Sequence, residues 1–305
     1  MAEPKKPISP SHGWRNRFLV YVGNQNDSTI SIIDPSANRI IKTIPVGKNP
    51  GQVNASHDGK RVYAINGGDR SISVISTATN EVVRTIRNVS PEPFAAVTIR
   101  NKLYVPDLYT GGITEFDTLT YERVDRFPVA NLPLSAAASP DGSKIYVTTQ
   151  ARNIWIVDTR LNKVVQSIPD GATWGLDFTA DGRKFVVNRF GSNETSVYCA
   201  RTNREIVSIP VGPAPIDVNI SRNGRRAYVT NSRGRTVSVI DLVEHRVIRT
   251  IPVGEVPYNL ALTPDSRSVY VTNYSGDNVS VIDTATLRVV KTIPVGDGPR
   301  GIVIV

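Results

Sequence analysis

The stretch Pro257–Gly296 reads PYNLALTPDSRSVYVTNYSGDNVSVIDTATLRVVKTIPVG. It contains four short runs rich in Val, Ile, Tyr and Thr: Tyr258–Thr263, Ser268–Asn273, Asn278–Asp283 and Arg288–Pro294. Such residues suit a pleated, half-buried surface. Alternation is clearest in VSVID, where Val279, Val281 and Asp283 share one face and Ser280 and Ile282 the other. Turn chemistry separates the runs: Pro264-Asp265, then Ser275-Gly276-Asp277-Asn278, then Thr284-Ala285-Thr286. No segment sustains a helical apolar period with caps. The unit is therefore four antiparallel strands, A to D in chain order.

This unit recurs along the chain. Its aromatic marker falls at Tyr21, Tyr63, Tyr104, Tyr146, Phe185, Tyr228 and Tyr270, in steps of 42, 41, 42, 39, 43 and 42 residues. A near-constant step in this range fits four-stranded propeller blades. A β-sandwich has no reason to repeat its own sequence. The repeat also overrides the two domains that length alone would favour. The expected fold is all-β, a seven-bladed propeller over residues 18–305 behind a tail over 1–17. The first repeat has no A strand and starts at the B strand Phe18–Asn24, while the final PRGIVIV (Pro299–Val305) matches the start of an A strand. The C-terminal strand is thus expected to complete the N-terminal blade and close the ring, leaving no open sheet edge between first and last blades.

Together, YVTN, SVIDTAT and KTIPVG resemble the YVTN-family β-propeller repeat of bacterial and archaeal proteins, over essentially residues 18–305. The resemblance implies seven blades and a protein that is often exported or surface-associated. More distantly similar propellers include cytochrome d1-type haem domains, heavy subunits of amine dehydrogenases, lactonising enzymes and an antibiotic-opening lyase. The shared residues build blades, so the resemblance brings no catalytic motif.

A net charge of +9 invites a nucleic-acid reading. The basic residues, however, are spread over the A–B turns and outer strands without interleaved aromatics for base stacking. Sequence-specific nucleic-acid recognition is not expected, and weak, salt-sensitive polyanion binding stays open. No apolar run is long enough to span a membrane. The segment MAEPKKPISPSHGWRNR lacks the apolar core of a signal peptide, which implies a cytoplasmic protein, or an exported one whose leader has been removed. The lone Cys199 stands where other repeats carry Asp34, Asp117, Asp158, Asp241 and Asp283, and reads as drift at a strand end.

Function in a propeller resides where the copies differ. The residue after the D–A proline gives Gly51, Phe94, Leu134, Trp174, Ile216, Tyr258 and Arg300, and the next gives Gln52, Ala95, Ser135, Gly175, Asp217, Asn259 and Gly301. Phe94, Trp174, Tyr258, Arg300, Gln52, Gln150 and Phe190 are the ligand-binding candidates at the channel mouth. Apolar walls with a few polar handles are what a small-molecule pocket needs. The asparagine closing YVTN reads as a turn-former bonding its own backbone.

The histidines His12, His57 and His245 fall in the tail, an A–B turn and a C–D turn. A histidine-based metal site, a haem ligand and a Ser-His-Asp triad are therefore not expected at the mouth. No cofactor and no metal are expected. The leading reading is a binding module that presents a small-molecule, peptide or protein site at the mouth. The alternative is a metal-independent lyase, isomerase or hydrolase acting on an anionic small molecule, with Asp107, Asp217, Tyr109 or Tyr258 as acid–base groups and Arg189 or Arg300 stabilising charge. A second alternative is an envelope-associated adhesion or assembly protein.

Overall fold

The computed structural model describes residues 18–129 and 132–305, so the tail expected over 1–17 lies outside the described residues. Twenty-eight strands form seven sheets of four antiparallel strands. The chain is the expected seven-bladed β-propeller. In the repeat that opened the sequence reading, the strands are β24 (Pro257–Leu262), β25 (Ser268–Asn273), β26 (Asn278–Asp283) and β27 (Arg288–Pro294). Sheet order follows chain order from the channel outward in every blade but the first. There the innermost strand is β28 (Pro299–Ile304), paired with β1 (Val20–Asn24) through Val20↔Ile304, Tyr21↔Val303 and Val22↔Ile302. Leu19 and Val305 exchange backbone hydrogen bonds of 2.7 and 3.0 Å beyond it.

Middle strands are apolar on both faces, and one sheet cannot cover both. The core is accordingly divided among the seams. Seven clusters each join two neighbouring blades. Tyr63 and Val74 of the second blade meet Leu103 and Phe116 of the third. Val20, Val22 and Ile302 of the first meet Tyr270 and Val281 of the seventh. The closing seam is filled like the others.

Two polar contacts explain the repeated motifs. The motif tyrosine is buried, and at three seams its hydroxyl crosses to an asparagine in the C–D turn of the next blade. Tyr21 donates to Asn80, Tyr146 to Asn203 at 3.0 Å and Tyr270 to Asn38 at 2.9 Å. Those asparagines hold left-handed φ values of 55°, 54° and 46°, a conformation asparagine tolerates. The YVTN asparagine differs from its sequence expectation. Its side chain does not bond its own turn but is buried and staples strand B to strand C. Asn66 Nδ2 donates to Ser71 and Ser73 at 3.0 Å each, and Asn273 Nδ2 to Asn278 and Ser280 at 2.8 and 2.9 Å. Against this amide lies the PVG glycine of the preceding blade. A Cβ on Gly254 would sit 2.6 Å from Asn273 Cγ. YVTN and PVG are two halves of one seam contact.

Every outer strand carries a one-residue bulge. Pairing skips Ile41, Val83, Val124, Val165, Ile206, Ile248 and Val290 in turn. A bulge bends and twists the strand and leaves its extra residue unpaired. Most of these β-branched residues are consequently exposed.

Removing Arg300–Val305 strips β28 and opens the closing seam. Loss of Ile302, Val303 and Ile304 from their contacts predicts destabilisation of about 5 kcal/mol or more, read by calorimetry; an unchanged melting temperature refutes closure as the stabilising element. Gly254→Ala should cost about 1–3 kcal/mol by overpacking, measured by urea unfolding.

Candidate functional site at the channel mouth

B–C and D–A loops gather at one end of the ring. Of the residues following the D–A proline, Leu134 and Ile216 are buried in the blades. Phe94, Trp174, Tyr258 and Arg300 remain half-buried and converge. The Arg300 guanidinium lies between two rings, 4.8 Å from the Phe94 centroid and 4.5 Å from that of Tyr258. Its Nη2 donates to the Tyr258 hydroxyl at 2.6 Å and its Nη1 to Gln25 Oε1 at 3.4 Å, while Nε is buried without a partner. Among the described residues no carboxylate pairs with it.

From Tyr258 the contacts continue to Trp174, edge-on at 6.3 Å, and to Tyr274 at 6.3 Å. Trp174 meets Phe190 at 5.3 Å, and the exposed Arg233 covers Phe190 at 5.5 Å. A single strip thus runs Arg233, Phe190, Trp174, Tyr258, Arg300, Phe94. It crosses the mouth from the sixth blade to the third with a cation at one end and another within it. Each aromatic pair contributes about 0.5–1.5 kcal/mol and each cation–π contact about 0.5–2 kcal/mol, so the strip is pre-ordered. Burial pushes the Tyr258 phenol up, against the pull of Arg300, and keeps it neutral.

Beneath the strip is a polar layer on the innermost strands. Gln52 Nε2 donates to Asn259 Oδ1 at 3.4 Å, and Asn259 Nδ2 donates to Asp217 Oδ2 at 3.0 Å. Asp217 also accepts from the backbone N–H of Leu260 and of Val218, both at 2.9 Å. In the adjacent blade Asp177 accepts from Ile220 N at 2.7 Å and Phe178 N at 2.8 Å. Both aspartates are half-buried. Burial pushes Asp177 up to about 7 and Asp217 up to about 6, and the N–H donors only partly oppose it.

The remaining candidates are engaged elsewhere or stand apart from the strip. Asp107 is fully buried and accepts from Thr110 N at 2.7 Å, Thr110 Oγ1 at 2.6 Å and Glu92 N at 2.8 Å. Burial pushes its carboxyl up, yet these loop donors outweigh it and hold it below the ordinary value. It clamps two loops of the third blade. Arg189 pairs with Asp170 at 2.5 Å and Glu205 at 2.6 Å and donates to Tyr198 at 3.1 Å. Tyr109 and Gln150 are exposed. Gln25, Tyr274 and Asp177 were missed as site residues. Gln25 and Tyr274 each follow the YVTN asparagine directly, so reading that position blade by blade finds both. Among the described residues no imidazole, thiolate or thioether lies at the mouth: His57 and His245 belong to turns of the opposite face, and Cys199 ends a third strand. No group of three or more metal-ligating side chains occurs among them.

A family model for the cytochrome D1 heme domain matches residues 214–300, which is 87 of the 305 residues. The span covers blades six and seven and ends on Arg300. Antigen Lp49 of Leptospira interrogans is 27% identical over 207 residues, covering 60% of this chain and 45% of that protein; the chain spans less than half of this relative. Among solved structures, Kuenenia stuttgartiensis hydrazine synthase superposes with a TM-score of 0.79 at 18% identity, over 92% of this chain and 99% of that one. A putative 6-phosphogluconolactonase from Bacteroides fragilis gives 0.80 at 16% identity, over 97% and 100%. The dihydro-heme d1 dehydrogenase NirN in complex with DHE gives 0.68 at 18% identity, over 90% and 63%. At these identities the structures share the fold.

The raised aspartates carry a pH signature. Asp177 in the folded state binds its proton more tightly than in the unfolded chain, so its contribution to stability is complete below the ordinary aspartate range. That contribution is lost as pH rises through about 7. The stability difference between wild type and Asp177→Asn should therefore shift in favour of the variant by about 1 kcal/mol or more between pH 4 and pH 8, measured by urea unfolding at each pH. A constant difference sinks the assignment.

Proposed function

We propose that the protein is a small-molecule-binding propeller whose mouth takes a planar, conjugated, carboxylate-bearing ligand. The observation that carries this reading is Arg300: a guanidinium held between two aromatic rings, with no carboxylate partner among the described residues and its Nε–H unused there. An arginine fixed in this way meets an anion without first losing side-chain freedom. The strip formed by Phe190, Trp174 and Tyr258 offers a conjugated ring a stacking surface, and Arg233 offers a second cation at its far end.

The match to a heme d1 domain model and the fold shared with NirN in complex with DHE support a carboxylate-bearing tetrapyrrole as one member of this class. The fit is to the ring and its carboxylates. It does not extend to iron, because the described mouth presents no imidazole, thiolate or thioether to hold it, and no step is derived through a haem.

Protoporphyrin IX without metal should bind, with a shifted absorption band and quenched Trp174 fluorescence. Its dimethyl ester, which lacks carboxylates, should bind at least tenfold more weakly. Arg300→Gln should erase that difference, since a hydrogen bond to a charged group contributes about 1.5–3 kcal/mol. Equal affinity for acid and ester in the wild type defeats the reading.

A further inference from the structure

The seam between the second and third blades lacks the tyrosine–asparagine bond seen for Tyr21, Tyr146 and Tyr270. Here the left-handed turn position is occupied by Tyr121, at φ 63°, and no asparagine amide is offered. Tyr63 is 0% exposed, and its hydroxyl has no hydrogen-bond partner. Thr118 lies close enough to lower the phenol slightly but not in hydrogen-bonding geometry, and burial pushes Tyr63 up to about 12, so it stands as a neutral donor.

This orphaned hydroxyl lines a groove of about 330 Å³ on the A–B-turn face, together with His57, Lys60, Arg61, Arg100 and Tyr121. The volume is within the range of small-ligand sites. The acid on the groove, Asp58, is already engaged by Lys60 at 3.7 Å, by Ser56 Oγ at 2.7 Å and by the Lys60 N–H at 3.0 Å. Arg61 spends Nη1 on the Lys60 carbonyl at 2.9 Å, and its Nε is buried with no partner. Neither Arg61 nor Arg100 pairs with a carboxylate among the described residues. The unused groups are thus donors and cations. Two related grooves have their tyrosine hydroxyl satisfied, whereas Tyr104 at the third–fourth seam is also without a partner. At the seventh–first seam Tyr270 is bonded to Asn38, Asp265 pairs with Arg267, and Asp283 lines the groove. At the fourth–fifth seam Tyr146 is bonded to Asn203, and Asp141 and Asp181 line the groove.

We propose that the groove between blades two and three is a second binding site, for a small organic oxyanion. Tyr63 and Arg61 Nε donate to the anionic head at the base of the groove. Arg100 supplies charge at its rim beside the Lys60–Asp58 pair, and the Tyr121 ring with the exposed Leu119 forms an apolar wall for the body of the ligand. The site is independent of the mouth and lies on the opposite face. A phosphate and a carboxylate share this chemistry.

Isothermal titration of the full chain with phenyl phosphate and with benzoate distinguishes them. The better-bound probe is expected to lose at least tenfold in affinity in the Arg61→Gln/Arg100→Gln variant. Tyr63→Phe is expected to fold, because Phe185 fills the same place in the fifth blade, and to bind several-fold more weakly. Tyr121→Asn restores the acceptor found at other seams and is expected to abolish binding while raising the melting temperature. An Arg183→Gln/Arg222→Gln control, in the groove between blades five and six, should leave affinity unchanged. The proposal is overturned if neither probe binds the wild type, if the control loses as much as Arg61→Gln/Arg100→Gln, or if Tyr63→Phe and Tyr121→Asn both bind as the wild type does.

Discussion

A four-stranded sheet whose middle strands are apolar on both faces cannot hide either face alone. Everything else in this molecule follows from that constraint. Each blade is covered only by its two neighbours, so the hydrophobic term that drives folding is located at seams rather than within units. A row of such sheets leaves one apolar face bare at each end, and only a closed ring removes both. The contacts of Val20, Val22 and Ile302 with Tyr270 and Val281 are what convert a row into a wheel. The strand that seals the ring also carries Arg300, so the mouth is assembled only once closure is complete.

How much of this was legible in the sequence follows from the same division. The spacing from Tyr21 to Tyr270, the strand limits in Pro257–Gly296 and the complementary ends of the chain are local or periodic signals, and they fixed blade number, strand register and closure. Contacts that cross a seam leave no signal within one repeat. The YVTN asparagine reads as a turn residue until Ser71, Ser73 and the neighbouring blade's Gly47 are seen around its amide. Arg189 reads as a free cation because Asp170 and Glu205 lie 19 and 16 residues away. Asp107 reads as a reactive acid because its Glu92 donor belongs to another loop.

At the mouth the position-by-position comparison of blades picks out Phe94, Trp174, Tyr258, Arg300 and Phe190, which lie in one strip, since divergence within a repeat marks residues released from blade-building. The same comparison gives Gln150 as a ligand contact and Tyr109 as an acid–base group, and both side chains are exposed. Divergence identifies freedom from the scaffold but does not give direction. The groove beside Tyr63 teaches the converse. There the tyrosine follows the repeat, and the exception sits in the partner residue, Tyr121, in the next blade.

The bulged outer strands have a consequence for the molecule in company. A propeller displays seven sheet edges to its surroundings, each with backbone donors and acceptors in rows that another chain's strand can read. One skipped residue per outer strand interrupts its pairing one or two pairs from the strand's start. Another copy's strand that meets the rim therefore finds a bent, interrupted edge in place of a continuous template along which to zip.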